Sequence, residues 1–399
     1  MGTLSKKMTI EKQKPSRKRG LVLHTSPTAF APPWSEGQKN NLLSVLYLLK
    51  DEVIFDVFSN KKFKLFYNIN IFLIDNPNNN LFQKLKFTWQ ISKEANKLLA
   101  NKHYDYIIFN INSFNILIPL LMLKGFNNEK KVLILGSEKI YKYLEENRVR
   151  LGRVPHWLKK RIIGSFDKIL CVSRKIQKEI IADKLIEEKK TLYMPAMSPV
   201  QIVEDFTPSG ETSIRLPAKS ADVCTVTYIG NVKKERGIYV LLEAFSKLSN
   251  QINVRLFIFS NGIGDLQLLR EKIIKSKLSN VFLINSPLNP KKIFSLSNIF
   301  VLPMLTQTHV FEYPLAVLES LWYSVPVVCS DFESFREIIK NEENGLLTSP
   351  GSAEELADAI TLLCGDRLLY EKIKNNAKPS LTKIYGFDIK HEILKFLDS

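Results

Sequence analysis

Three short stretches carry residues that could hold and activate a phosphorylated ligand. The first is Tyr228-Ile229-Gly230-Asn231-Val232-Lys233-Lys234-Glu235-Arg236-Gly237. An apolar strand ends at Gly230, a cationic loop follows, and a helix is expected to open near Gly237. Glycine lets the backbone approach a ligand closely. A helix start offers unpaired N–H groups and a partial positive charge, and a guanidinium such as that of Arg236 forks onto a phosphate. A diphosphate suits such a place, although a glycine turn before a helix is also common scaffolding. The second stretch is Phe311-Glu312-Tyr313-Pro314-Leu315-Ala316-Val317-Leu318-Glu319-Ser320. Pro314 fits the first turn of a helix, and Glu312 lies in the loop just before it. Glu319 falls inside the helix beside Leu318 and Leu321. A carboxylate among apolar neighbours needs a partner, and the paired hydroxyls of a ribose supply two donors; a solvated helix-face glutamate is the ordinary alternative. The third stretch runs Val325-Pro326-Val327-Val328-Cys329-Ser330-Asp331, then Arg336-Glu337-Ile338-Ile339, then Asn344-Gly345-Leu346-Leu347. It reads as strand, short helix, tight turn and strand.

These residues need elements to position them, and the chain alternates accordingly. Strands are expected at Leu21–His24, Val53–Phe58, Tyr106–Asn110, Lys131–Leu135 and Lys168–Val172, with helical stretches at Gln38–Leu49, Leu85–Leu99 and Arg174–Ala182 between them. A second series has strands at Val226–Ile229, Val254–Phe259, Val281–Ile284, Ile299–Pro303, Val327–Cys329 and Leu346–Thr348. Its helices are Ile238–Leu248, Leu266–Ile274, Pro314–Trp322 and Ala353–Leu363. Apolar strands alternating with amphipathic helices imply parallel sheets covered on both faces. The chain has 399 residues, 45% of them hydrophobic, which is too long for one ordinary core. The expected division is a basic flexible tail over 1–19, a first Rossmann-like domain over 20–200, a Pro- and Ser-rich linker over 201–222, a second Rossmann-like domain over 223–375, and a helical segment over 376–399 that packs back on the first domain. Ligand crevices of such sheets lie beyond the carboxyl ends of the strands, so the cleft between the domains is the natural site.

Composition narrows the partners. A formal charge of +17 attracts nucleic acid, anionic lipid or phosphorylated small molecules. The same sum also arises in a lysine-rich chain that needs solubility. No helix-turn-helix, zinc finger or aromatic RNA motif is present, so nucleic acid is not an expected partner. Cys171, Cys224, Cys329 and Cys364 lie far apart without metal-ligand spacing, and Cys171 and Cys329 fall in apolar runs that suit buried thiols. Residues Met1 to Arg19 are polar and basic with no apolar signal core, and the longest apolar run, Phe114 to Leu123, is too short to span a bilayer. The expected location is cytoplasmic, at the inner face of the membrane. The segment 139–163 combines Lys142, Arg148, Arg150, Arg153, Lys159, Lys160 and Arg161 with Trp157, Leu158, Ile162 and Ile163. Such a mixture suits an anionic lipid surface, or simply a solvated basic helix.

The three stretches together resemble the donor half of retaining glycosyltransferases of family 4, which have the GT-B fold. The matching segments run in order from Val226 to about Leu363, and the upstream Phe166-Asp167-Lys168-Ile169-Leu170-Cys171-Val172-Ser173 is similar to the family's strand ending in Val-Ser. The loop Pro32-Pro33-Trp34-Ser35-Glu36-Gly37-Gln38 stands where the family has its acceptor-side glycine loop. The resemblance implies an α/β GT-B architecture, two doubly wound Rossmann-like domains facing a cleft. It implies donor contacts from Gly230, Asn231, Lys234, Arg236, Tyr313, Pro314, Leu315 and Glu319. Glu312, Glu319 and Arg236 take the catalytic positions, and Ser35, Glu36, Gly37 and His24 lie on the acceptor side. By position Arg236 stands for the family's phosphate-binding lysine and Glu319 for its ribose-binding glutamate, while Glu337 helps hold the donor end. The chain departs from the pattern in several places. Asn231 replaces the arginine of the Gly-Arg pair, Glu312 comes one residue late, Ser324 replaces a glycine, Pro195-Ala196-Met197 replaces Pro-Asn-Gly, and Gly136-Ser137-Glu138 lies near the missing His-Asp.

The implied activity is transfer of a sugar from a nucleotide-diphosphate sugar to a glycan or lipid-linked acceptor, with retention of configuration. Charge that builds on the leaving diphosphate would be met by fixed N–H dipoles and the cations Arg236, Lys233 and Lys234. No Asp-x-Asp triplet occurs to hold a divalent ion, so no metal and no cofactor are expected. The alternatives are an inactive or divergent GT-B relative and a basic nucleic-acid-binding protein.

Overall fold

The computed structural model describes residues 17–24, 37–59, 68–73, 81–110, 129–136, 156–195, 197–198, 222–248, 252–260, 262–286, 289–306, 314–385 and 389–399. They form two parallel sheets. The first holds β1 (Lys18–His24), β2 (Val53–Ser59), β3 (Ile69–Leu73), β4 (Tyr106–Asn110), β5 (Lys130–Leu135), β6 (Lys168–Cys171) and β7 (Thr191–Tyr193), in the order β3-β2-β1-β4-β5-β6-β7. The helices described with it are α1 (Gly37–Leu48), α2 (Leu81–Asn101), α3 (His156–Ile163) and α4 (Arg174–Ala182). The second sheet holds β8 (Cys224–Ile229), β9 (Val254–Ser260), β10 (Val281–Asn285), β11 (Ile299–Leu302), β12 (Val327–Ser330) and β13 (Leu346–Thr348), in the order β10-β9-β8-β11-β12-β13. Its helices are α5 (Ile238–Leu248), α6 (Leu266–Lys275), α7 (Pro290–Leu296), α8 (Leu315–Trp322), α9 (Glu333–Arg336), α10 (Ala353–Gly365) and α11 (Arg367–Tyr385), and α12 (Ile389–Asp398) ends the chain.

Central strands such as β4, β11 and β12 are buried along their whole length, because helices cover both faces of a parallel sheet. That is why their sequences are unbroken apolar runs. In each sheet the strand order reverses once, between β1 and β4 and between β8 and β11. The reversal opens a crevice beyond the carboxyl ends of those strands. His24 and Asn110 end the first pair; Gly230 and Pro303 follow the second.

The terminal helices join the two domains. α11 buries Ile373, Ala377 and Leu381 in the second core, whereas α12 buries Ile393 and Leu397 in the first. Lysines from the amino ends of the first sheet's strands grip the end of α12. Lys18 and Tyr106 both meet the Asp398 carboxylate. Lys130 Nζ donates to the carbonyls of Leu397 at 3.0 Å and Asp398 at 2.7 Å. Lys168 Nζ donates to Ser399 Oγ at 2.7 Å. Cations at a helix carboxyl end oppose its dipole and satisfy its last carbonyls.

Several features differ from the sequence-based expectations. Strand β1 begins at Lys18, inside the stretch assigned to the tail, and residues 1–16 lie outside the described ones, as does 199–221, most of the linker. β3 and β7 had no counterpart; each is a sheet edge, and β3 is only half-buried, so neither needs an apolar run. Cys171 and Cys329 are buried thiols, and burial raises the pKa of both. Cys224 and Cys364, however, form a disulfide across 140 residues, joining the start of β8 to the end of α10. Nothing in their spacing announced that pairing, because only the fold brings the two ends together.

Candidate functional site

The loop after β8 is rigidly held. Gly230 N–H donates to the Phe259 carbonyl at 3.0 Å, and the Tyr228 hydroxyl donates to the Asn231 carbonyl at 2.8 Å. Val232 N–H donates to the Ile263 carbonyl at 2.8 Å, and the Val232 carbonyl accepts from Asp265 N–H at 3.1 Å. Leu305 N–H, just past β11, donates to the Glu235 carbonyl at 2.9 Å. Lys234 to Arg236 make one turn of 3₁₀ helix, ended by Gly237 at φ 73°. A Cβ there would stand 1.5 Å from the Pro303 carbonyl oxygen, so this position accepts only glycine. Lys233 and Lys234 are exposed, while Arg236 is partly buried and burial lowers its pKa. The cations therefore stand at the carboxyl ends of β8 and β11, where the strand order reverses.

Gly237→Ala tests this local design. Left-handed strain costs about 1–3 kcal/mol, and the displaced Pro303 backbone adds to it. The expected result is a melting temperature about 5–10 °C lower by calorimetry. An unchanged melting temperature would contradict the close approach.

Helix α8 opens at Pro314, which has no side-chain donor or acceptor to cap it, and no cap hydrogen bond is made among the described residues. Its first turn carries no acidic residue, so the positive end of its dipole is left for another anion. Glu319 lies one and a half turns on and is 8% exposed. Ser198 Oγ donates to Glu319 Oε1 at 2.9 Å. Burial raises the Glu319 pKa from 4.5 to about 7, and the Ser198 hydrogen bond opposes this only in part. Ser324, beyond the same helix, has φ 55°, the left-handed conformation that the glycine of the resembling family would adopt without strain. Glu312 and Tyr313 fall outside the described residues, as do Ser35 and Glu36.

On the first domain, the Asn110 amide nitrogen lies 2.8 Å from His24 Nδ1, and both residues are buried. Gly37 starts α1, and Asn41 on that helix presses against Gly136 so closely that a Cβ there would meet its amide at 2.0 Å. Glu337, placed by resemblance at the donor end, makes a contact between the domains. Its carboxylate accepts from the N–H groups of Arg174 and Lys175 at 3.3 Å each, at the start of α4. The structure thus gathers Gly230, Asn231, Lys234, Arg236, Pro314 and Leu315 along the carboxyl edge of the second sheet, with Glu319 one turn deeper facing Ser198 of the first half. Ser198 was missed by sequence reasoning, since a lone serine just before the expected linker over 201–222 carries no local signal. Among the described residues, no group of His, Cys, Asp and Glu could hold a metal ion, and no helix is long and apolar enough to cross a membrane.

Segment 139–163 is described only from His156. Ile162 and Ile163 are buried in the first core, which corrects the expectation that they face lipid. Trp157 is 63% exposed, and Lys160 and Arg161 are exposed beside it.

Comparison with known proteins fits this geometry. Residues 213–379 match the family model described as "Glycosyl transferases group 1". An uncharacterized glycosyltransferase of Methanocaldococcus jannaschii is 24% identical over 55% of this chain and 57% of its own. The capsular polysaccharide biosynthesis glycosyltransferase CapM of Staphylococcus aureus is 23% identical over 57% of this chain and 60% of its own. The match therefore spans little more than half the length of these curated relatives. Among solved structures, Anabaena HepE in complex with UDP and glucose superposes with TM-score 0.66 and 14% identity, over 96% of this chain and 100% of that one. Sucrose-phosphate synthase from Thermosynechococcus elongatus superposes with TM-score 0.71 and 18% identity, over 96% and 98%. The chain has the GT-B fold of these structures, two facing Rossmann-like domains, and its second domain carries the glycosyl transferases group 1 pattern over residues 213–379.

Proposed function

We propose that the protein transfers a sugar from a nucleotide-diphosphate donor to a glycan or lipid-linked acceptor, with retention of configuration and without a metal. What supports this reading is the order of the elements: the loop holding the partly buried Arg236 follows β8, the helix carrying the buried Glu319 follows β11, and the strand order of the sheet reverses between those two strands. Arg236 and the α8 N–H groups would stabilise charge on the departing diphosphate. Glu319 would accept hydrogen bonds from the donor ribose. The acceptor hydroxyl would attack from the leaving-group side, so that the sugar–phosphate bond breaks, the new glycosidic bond forms on the same face and the hydroxyl proton passes to the departing diphosphate oxygen. By the resemblance, Glu312 and Tyr313 would serve the donor, and Ser35, Glu36, Gly37 and His24 the acceptor. Closure of the two domains would exclude water and favour transfer over hydrolysis.

The test is release of nucleoside diphosphate from UDP-, GDP- and ADP-sugars in the presence of EDTA, with the product anomer read by NMR. Release with retained configuration is expected. Failure with all three donors, or a strict metal requirement, overturns the corresponding part of the reading.

The acceptor side meets an anionic membrane surface, on the inner face, through the exposed Trp157, Lys160 and Arg161 of α3. Flotation with anionic liposomes at low salt is expected to carry the protein upward, and Trp157→Ala to reduce it several-fold. Absence of flotation removes the membrane contact and leaves the transfer chemistry standing.

A further inference from the structure

Two hydrogen bonds connect the first domain to the buried acid of the second. On α1, the Ser44 hydroxyl is fully buried and accepts from Met197 N–H at 2.9 Å. The next residue, Ser198, is also fully buried and donates to Glu319 Oε1 at 2.9 Å. Helix α1 opens at Gly37, directly behind the loop expected on the acceptor side. Ser198 stands where the chain leaves the first domain, before the stretch that leads to the second.

We infer that Ser198 is a positioning residue for donor binding: held on α1 through Met197 and Ser44, it fixes the Glu319 carboxylate in the orientation that receives the donor ribose. This rests on the proposal that Glu319 grips that ribose. The physical ground is that, among the described residues, Ser198 is the donor that reaches the Glu319 carboxylate. A glutamate side chain has three rotatable torsions, and a buried one is held only by the donors that reach it. The carboxylate has about four lone-pair sites. Ser198 occupies one on Oε1 and leaves Oε2 for a ribose hydroxyl. The serine belongs to the opposite half of the molecule, so the acid is oriented only while the two domains are seated together. Donor binding and domain seating are thereby tied through one hydroxyl.

The test uses the full chain with UDP, GDP and ADP as probes, followed by titration calorimetry with whichever binds the wild type. Ser198→Ala is expected to raise the dissociation constant about ten-fold, and the donor KM in parallel, while kcat at saturating donor changes less than two-fold. Ser198→Cys keeps the volume with a weak donor and is expected to behave like Ala while retaining the wild-type melting temperature. Ser44→Ala is expected to act in the same direction and more weakly. The decisive arm is the Glu319→Ala background, in which Ser198→Ala should have no further effect. If Glu319→Ala binds nucleotide as the wild type does, the ribose assignment fails. If Glu319→Ala weakens binding but Ser198→Ala does not, or if the Ser198 effect persists without Glu319, the positioning role fails.

Discussion

Replacing Glu319 with Gln weakens nucleoside diphosphate binding about 10- to 100-fold and, in the same protein, raises the melting temperature of the free form above pH 7. The two effects have one cause. Burial holds the Glu319 carboxyl at a pKa of about 7 against 4.5 in the unfolded chain. The folded protein thus binds this proton more tightly than the unfolded chain does. The stability this contributes is fully present below about pH 4.5 and is lost as the pH rises through about 7. The loss is on the order of 3 kcal/mol at pH 8. Gln keeps the shape and still accepts from Ser198, but it never has to lose a proton. Its stability should therefore exceed that of the wild type at pH 8 and converge with it near pH 4.5. Tyr323, whose own pKa is raised by burial and then by the Glu319 charge, should titrate closer to its ordinary value in the variant. On the binding side, a hydrogen bond to a charged acceptor contributes about 1.5–3 kcal/mol, which sets the loss for the neutral amide. An acid that destabilises the free protein and strengthens binding is the signature of a functional group. A Gln variant with lower stability at pH 8, or with unchanged nucleotide affinity, contradicts the assignment.

Arg236→Ala is expected to lower kcat about 10²- to 10³-fold, the usual cost of removing one fixed donor from developing charge. The loop around it is pinned to both neighbouring segments, at Val232 and Glu235, so the guanidinium is positioned before the ligand arrives. Asn231 carries no charge, and Lys233 and Lys234 are exposed, where water screens them. Arg236 is the cation that burial has partly stripped of water, so its field on a phosphate is the strongest of the group. Arg236→Lys should recover part of the loss, because it restores the charge but not the planar fork. Steady-state kinetics with the accepted donor decides the matter. Equal loss from Lys234→Ala would spread the role over the loop and overturn the special place given to Arg236.

The parts of this architecture that were legible in the sequence share a physical reason. Fully buried parallel strands must be apolar on both faces, so β4, β11 and β12 stood out as unbroken runs. The helix at Pro314 and the turn at Gly237 were marked by residues whose backbone preferences suit those positions. Edge strands β3 and β7 are short and partly exposed, and their composition is correspondingly unremarkable. The Cys224–Cys364 bond and the Ser198–Glu319 contact join residues 140 and 121 positions apart. Contacts of that kind are made by the packing of sheets and domains, and no local pattern carries them. Glu337 adds a contact of the same kind: its carboxylate accepts from N–H groups at the start of α4, 163 and 162 positions away.

The central claim is that the second domain cradles a sugar diphosphate. Thermal unfolding of the wild-type chain in EDTA, with UDP-, GDP- and ADP-sugars and with duplex DNA in parallel, tests it most directly. One sugar nucleotide is expected to raise the melting temperature with the logarithm of its concentration above the dissociation constant, with the rise abolished in Arg236→Ala. Stabilisation by DNA and by none of the sugar nucleotides would contradict it.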